Sequence, residues 1–266
     1  MPSAPRPEPP GTEHPGLLPH LFTHAVDTVP VHCVRPSDTH RPTWAVYQYE
    51  RYLGTLHHQA ADWYLQHARE HHDSLDDAVR ALRRPPTWPH ARARATSWAH
   101  RALNTPGTCV INIQTTGLRD PRAVQIAVAT PDGILVDTLI NPGRPVDNTA
   151  ARLHHHTRGT LRDAPTFSEA LPLLVQALHG RRCIGYNMPF IRHVLRQELA
   201  RLPIAPLLSL TRWEDAMRPV AQWAGLWSAH HRTYRNQRLL GPHEAKAKYQ
   251  ALLHRLSSLN HHPTST

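Results

Sequence analysis

The stretch CVINIQTTGL, Cys109 to Leu118, decides how this chain is read. An apolar run, Cys109-Val110-Ile111, leads into Asn112-Ile113-Gln114 and then Thr115-Thr116-Gly117. Polar and apolar residues alternate, which is the period of a strand with one wet face. Asn112 and Gln114 therefore project from the same face near the strand end. Many enzymes end such a strand on a pair of carboxylates; this one ends on two neighbouring amides.

Working outward, the text after Gly107 predicts a mixed α/β sheet with helices on its faces. Strands are expected at 109–114, 123–129 and 134–140, with Pro131-Asp132-Gly133 as turn chemistry between the last two. Thr166 and Glu169 form a capping box that opens a helix with Phe167, Leu171, Leu174 and Leu178 inward. A strand at 182–186, a helix near 190–201, a long irregular Trp-rich stretch and a last helix near 242–256 follow. Asp215, in Trp213-Glu-Asp-Ala, is expected to cap or tie down a helix. Upstream, six prolines in residues 1–16 predict disorder, and residues 17–42 show only an aperiodic apolar patch at 29–34. Tyr49, Leu53, Leu56, Ala60 and Trp63 recur at steps of four and three, which predicts a helix from Trp44 to about Arg69. Ser74 caps a second helix, and Ala91, Ala95, Trp98 and Ala102 mark a third. The expected organisation is thus an irregular segment at 1–42, a helical region at 43–104, a folded domain at 108–258 and a disordered tail at 259–266. The aromatics Trp44, Tyr47, Tyr52 and Trp63 could stack bases, but at helical spacing they read as packing.

Composition narrows the function. A formal charge of +10 in 266 residues favours an anionic partner, nucleic acid first, with a solvated Arg-rich surface as the plainer reading. Three cysteines, Cys33, Cys109 and Cys183, include no CxxC pair, which argues against a disulfide framework and suggests a reducing compartment. No apolar run approaches a membrane span, and the broken stretch 16–26 makes no signal peptide, so a cytoplasmic protein is expected. Of the 23 histidines, eleven fall in four doublets and one triplet, His154-His155-His156, with no Cys in a ligand frame, and they read as compositional drift.

Residues 108–256 resemble the DnaQ-like, or RNase T-like, 3′–5′ exonucleases of the ribonuclease H-like fold with a catalytic histidine. Three motifs carry the resemblance: Asn112-Ile-Gln-Thr-Thr-Gly117, Tyr186-Asn-Met-Pro-Phe-Ile191 and His243-Glu-Ala-Lys-Ala-Lys248. In the family these read Asp-x-Glu-Thr-Thr-Gly, His/Tyr-Asn-x-x-Phe-Asp and His-x-Ala-x-x-Asp. The resemblance implies four carboxylates holding two Mg2+ or Mn2+ ions, with the histidine taking a proton from the attacking water. Here those four positions are Asn112, Gln114, Ile191 and Lys248, and only His243 is retained. Four carboxylates would bring −4; two amides, an alkyl group and an ammonium bring +1. Like charges repel by about 1 kcal/mol at 4 Å even in bulk water. Two-metal binding is therefore expected to be lost, and no cofactor is expected.

Two readings follow. In the first, the domain binds single-stranded DNA or RNA, or a protein partner through the N-terminal helices, without cleaving. Thr115, Thr116, Gly117, Tyr186, Asn187 and Phe190 would then contact the strand, and Lys248 would meet a phosphate directly. In the second, a divergent exonuclease uses His243, Glu244 and Mg2+ or Mn2+. Asp137, Glu214 and Asp215 are further acids without a spacing argument. His154 has a precedent in the family's Ile-His-Gly-Ile-Thr loop, and its two histidine neighbours read as drift.

Overall fold

The computed structural model describes residues 18–35, 42–66, 70–203, 211–239 and 245–261. The expected disorder at 1–16 and the tail beyond 261 lie outside these residues, as do His243 and Glu244. The described chain divides into two units, residues up to 86 with 225–235, and residues 87–224 with those from 236 on.

The first unit corrects the helical expectation for its sequence. Strands β1 (Leu21–Val26), β2 (Val29–Val34), β3 (Thr43–Gln48), β4 (Arg51–Gln59), β5 (Asp62–Leu65) and β6 (His71–His72) form one sheet in sequential order. Every pairing is antiparallel. The steps from Tyr49 to Trp63 imitate a helix only because two turns interrupt them. Gln48 pairs with Arg51 around Tyr49-Glu50, and Gln59 pairs with Asp62 around Ala60-Ala61. Tyr49, Ala60 and Ala61 hold φ of 54°, 51° and 74°. Two-residue hairpins with positive φ usually announce themselves with Asn-Gly or Asp-Gly, and neither is present. Trp44, Val46, Leu56 and Trp63 instead fill the core with Val26, Val31 and Cys33. The Trp44 and Trp63 rings lie 5.6 Å apart, so these two aromatics pack. Helix α1 (Leu75–Leu82) forms where expected, with the Ser74 hydroxyl accepting from the Asp77 N–H. A short hairpin, Trp227–Ser228 against Thr233–Tyr234, completes the unit.

The second unit begins with helix α2 (Trp88–Asn104), the expected third helix. Strands β7 (Thr108–Thr115), β8 (Ala123–Thr130) and β9 (Gly133–Leu139) form an antiparallel meander. Helices α3 (Asn148–His154), α4 (Arg158–Leu161) and α5 (Phe167–Leu178) precede β10 (Arg182–Gly185) and α6 (Met188–Leu199). The Trp-rich stretch, expected to be irregular, instead supplies β11 (Arg212–Asp215) and α7 (Met217–Ala224). Helix α8 (Ala245–His261) closes the fold. The sheet runs β11-β10-β7-β8-β9, with β10 and β11 parallel to β7. Ile111, Ile113 and Ile126 face α5 and α6 through Leu174, Leu178, Val194 and Leu195. Val110, Ala127, Ala129 and Ile184 face α8 through Ala245, Tyr249, Leu252 and Leu256. The sheet's alternation therefore decides which strand-end side chains meet α8.

Candidate functional site

Asn112 and Gln114 share the parity of Val110, so they stand on the α8 face of β7. Asn112 is half-buried, and its Nδ2 is buried with no hydrogen-bond partner among the described residues. Gln114 sits opposite Gln125 of β8, next to a bulge at Gln114/Thr115. The hydroxyls beyond it serve the turn. Thr115 Oγ1 donates to the Gly117 carbonyl, and Thr116 Oγ1 accepts from the Arg122 N–H. Gly117 lies close against Asp147: a Cβ there would fall 1.9 Å from its carboxylate oxygen, so a larger residue would require the Asp147 side chain to move.

Gln125, which the sequence reading passed over, is the hub of this face. Its Nε2 donates to Asp137 at 2.9 Å, and its Oε1 accepts the Ala245 N–H at the start of α8 at 3.0 Å. The same oxygen lies 3.0 Å from His156 Nε2, and because it can only accept, that nitrogen carries a proton. The His156 N–H donates to His154 Nδ1 at 3.2 Å. The neutral His154 ring then holds its proton on Nε2, which donates to the Thr115 carbonyl at 3.1 Å. The two rings stack at 5.1 Å. His156 is thus a partner in a chain that reaches the strand end, not drift; the His-x-His spacing is the sequence signal that could have found it. His155 has φ of 61° and closes α3.

The remaining sequence-predicted residues do not all converge. Ile191 is 2 % exposed and belongs to the apolar cluster on the α5/α6 side, with a methyl group against Gly185. It does not join Asn112 and Gln114, because an alkyl side chain on α6 gains more from that core than from a polar cleft. Phe190 packs against the same cluster. Asn187 takes φ of 66° at the start of α6 and makes no side-chain cap. Tyr186 donates its hydroxyl to the Gln237 carbonyl, and burial pushes its pKa up to about 12. Lys248 Nζ donates to the Leu239 carbonyl at 2.8 Å, and burial holds its pKa below the usual lysine value.

The other candidate acids are engaged structurally. Asp215 Oδ1 accepts the N–H groups of Asn187, Met188 and Met217 at 3.0–3.2 Å, so it secures the starts of α6 and α7. Glu214 receives Arg182 through two bonds of 2.6 Å and the Trp98 indole N–H at 2.7 Å. The Arg182 bonds hold its pKa below the usual carboxylate value. Among the described residues, no three His, Cys, Asp or Glu side chains lie together in a way that could hold a metal ion. No helix among them is long and apolar enough to cross a membrane.

The chain is similar to a solved structure of exonuclease X in complex with 5′-overhanging duplex DNA, at 22 % identity and a TM-score of 0.37. That similarity covers 57 % of this chain and 89 % of the other. It is also similar to the cell-death related nuclease 4 (CRN-4), at 11 % identity and a TM-score of 0.39, over 57 % of this chain and 62 % of the other. No curated protein matches. The RNase_T exonuclease family model matches residues 115–257, more than half of the chain, and the chain belongs to that exonuclease family.

Proposed function

We propose that the exonuclease domain binds single-stranded nucleic acid without two-metal cleavage. The observation that carries this reading is the buried Asn112 Nδ2 near the end of β7, which has no hydrogen-bond partner among the described residues. An N–H donor in that place seeks an acceptor oxygen, whereas a carboxylate would seek a cation. Mg2+ requires hard anionic oxygens in near-octahedral array, and Asn112, Gln114, Ile191 and Lys248 offer none. The acids described around them already serve Gln125, Arg182 and the helix starts. A strand that displaces the groups covering it would offer Asn112 a phosphate oxygen as acceptor, and the chain's formal charge of +10 favours the approach of such a strand.

The test is fluorescence anisotropy of labelled single-stranded DNA and RNA with the full chain in EDTA. Binding should persist without metal and weaken as salt rises. Asn112→Asp should weaken it about tenfold, since it replaces a donor by an anion. Binding that requires Mg2+ or Mn2+ and is followed by shortening of the strand would overturn the proposal in favour of a nuclease using His243 and Glu244.

A further inference from the structure

We infer that the N-terminal unit holds a second nucleic-acid subsite, built to take one nucleotide of a single strand. This inference rests on the binding function proposed above and assigns part of it to a unit that lies mostly outside the residues the family model matches. Within this unit a cavity of about 690 Å³ is lined by Tyr49, Arg51, Arg83, Arg84 and Trp227, among others. Its volume falls within the range of small-ligand sites, about 300–1,000 Å³.

The lining combines flat aromatic surface with positive charge. Tyr49 stands on the β3–β4 turn and is 69 % exposed, a large aromatic group with no core role. Trp227 lies edge-on to Tyr234 at 5.0 Å, which holds its ring in place. Arg83 is only 8 % exposed, and its guanidinium donates to three neutral oxygens, Gln48 Oε1 and the carbonyls of Val26 and Val29. Among the described residues no carboxylate lies within ion-pair distance of Arg83 or of Arg51, whereas Arg84 pairs with Glu70 at 2.7 Å. Arg51 and Arg83 together outweigh Glu50 at the rim, leaving a net positive cavity. A buried guanidinium bound only by neutral acceptors keeps its full charge in a poorly screened place. A base stacked on Tyr49, with its phosphate drawn toward Arg51 and Arg83, satisfies both features. An acidic peptide would use the charge but leave the exposed ring unused.

Two variants test this in the full chain, with a labelled oligothymidylate in EDTA as the probe. Tyr49→Gly removes the ring at a position whose φ of 54° suits glycine, so thermal stability should hold or rise. Its affinity should nevertheless fall about tenfold, the effect of losing one stacked base. Arg51→Gln, at an exposed position, should weaken binding several-fold and flatten the salt dependence. Parental affinity in both variants, while Asn112→Asp still weakens binding, would overturn this inference and leave the exonuclease-domain reading intact. No binding by the parent protein would overturn both. Displacement of the probe by polyglutamate that is indifferent to Tyr49 would assign the cavity to acidic peptides instead.

Discussion

Strands β7 and β11 flank β10 in one sheet, yet they treat their polar ends in opposite ways. β11 ends on Glu214 and Asp215, and each carboxylate has fixed partners: Arg182 and Trp98 for the first, three backbone N–H groups for the second. β7 carries Asn112 and Gln114 where its family resemblance expects acids, and among the described residues no cationic side chain is hydrogen-bonded to either. The difference teaches where this fold keeps a charge. A carboxylate with donors is stabilised, and one without them is costly to bury. Amides at the end of β7 keep the strand's shape without that cost.

Three substitutions break the comparison at different strengths. The largest effect is expected from Ile191→Asp, which puts the acid the resemblance expects into an apolar core. An uncompensated buried charge should cost about 3–5 kcal/mol, read as a lower midpoint in chemical denaturation. A small loss would show that the side chain can turn toward the β7 end, and that the carboxylate frame is still within reach. Next comes Asp215→Ala, which strands three N–H groups at the starts of α6 and α7. It should cost about 2–3 kcal/mol, a value set by charge-assisted capping bonds.

Glu214→Gln is the mildest, about 1 kcal/mol near neutral pH, because the side chain is a third exposed and its ion pair is screened. Its pH dependence sharpens the comparison. Arg182 lowers the folded-state pKa of Glu214, so the stabilisation is fully present above the ordinary carboxylate pKa. It is lost as pH falls through the lowered folded value. The gap between parent and variant should therefore be present at neutral pH and close in strong acid. A constant gap across that range would mean that Glu214 acts by shape alone.

These contrasts also explain what the sequence could reveal. The β7–β9 meander, the Thr166 capping box and the inward faces of α5 and α8 were legible because each has a clean period or a local cap. The N-terminal sheet was not, since Tyr49-Glu50 and Ala60-Ala61 turn without glycine or asparagine and leave a spurious helical step. The role of Asp215 could be read from its place before a helix. The Gln125 hub could not, because its partners, Asp137, His156 and Ala245, come from three other parts of the chain. The position of Ile191 was equally hidden: alignment to a motif places it in sequence, whereas core packing decides which way it faces.

The central claim concerns the end of β7, and a digestion assay tests it most directly. Full-length protein is incubated with 5′-labelled single-stranded DNA and RNA in Mg2+ or Mn2+, and the strands are resolved at nucleotide resolution. The account predicts that the strands stay full length under conditions where they are bound. Stepwise shortening from the 3′ end that stops with EDTA and with His243→Ala would contradict it.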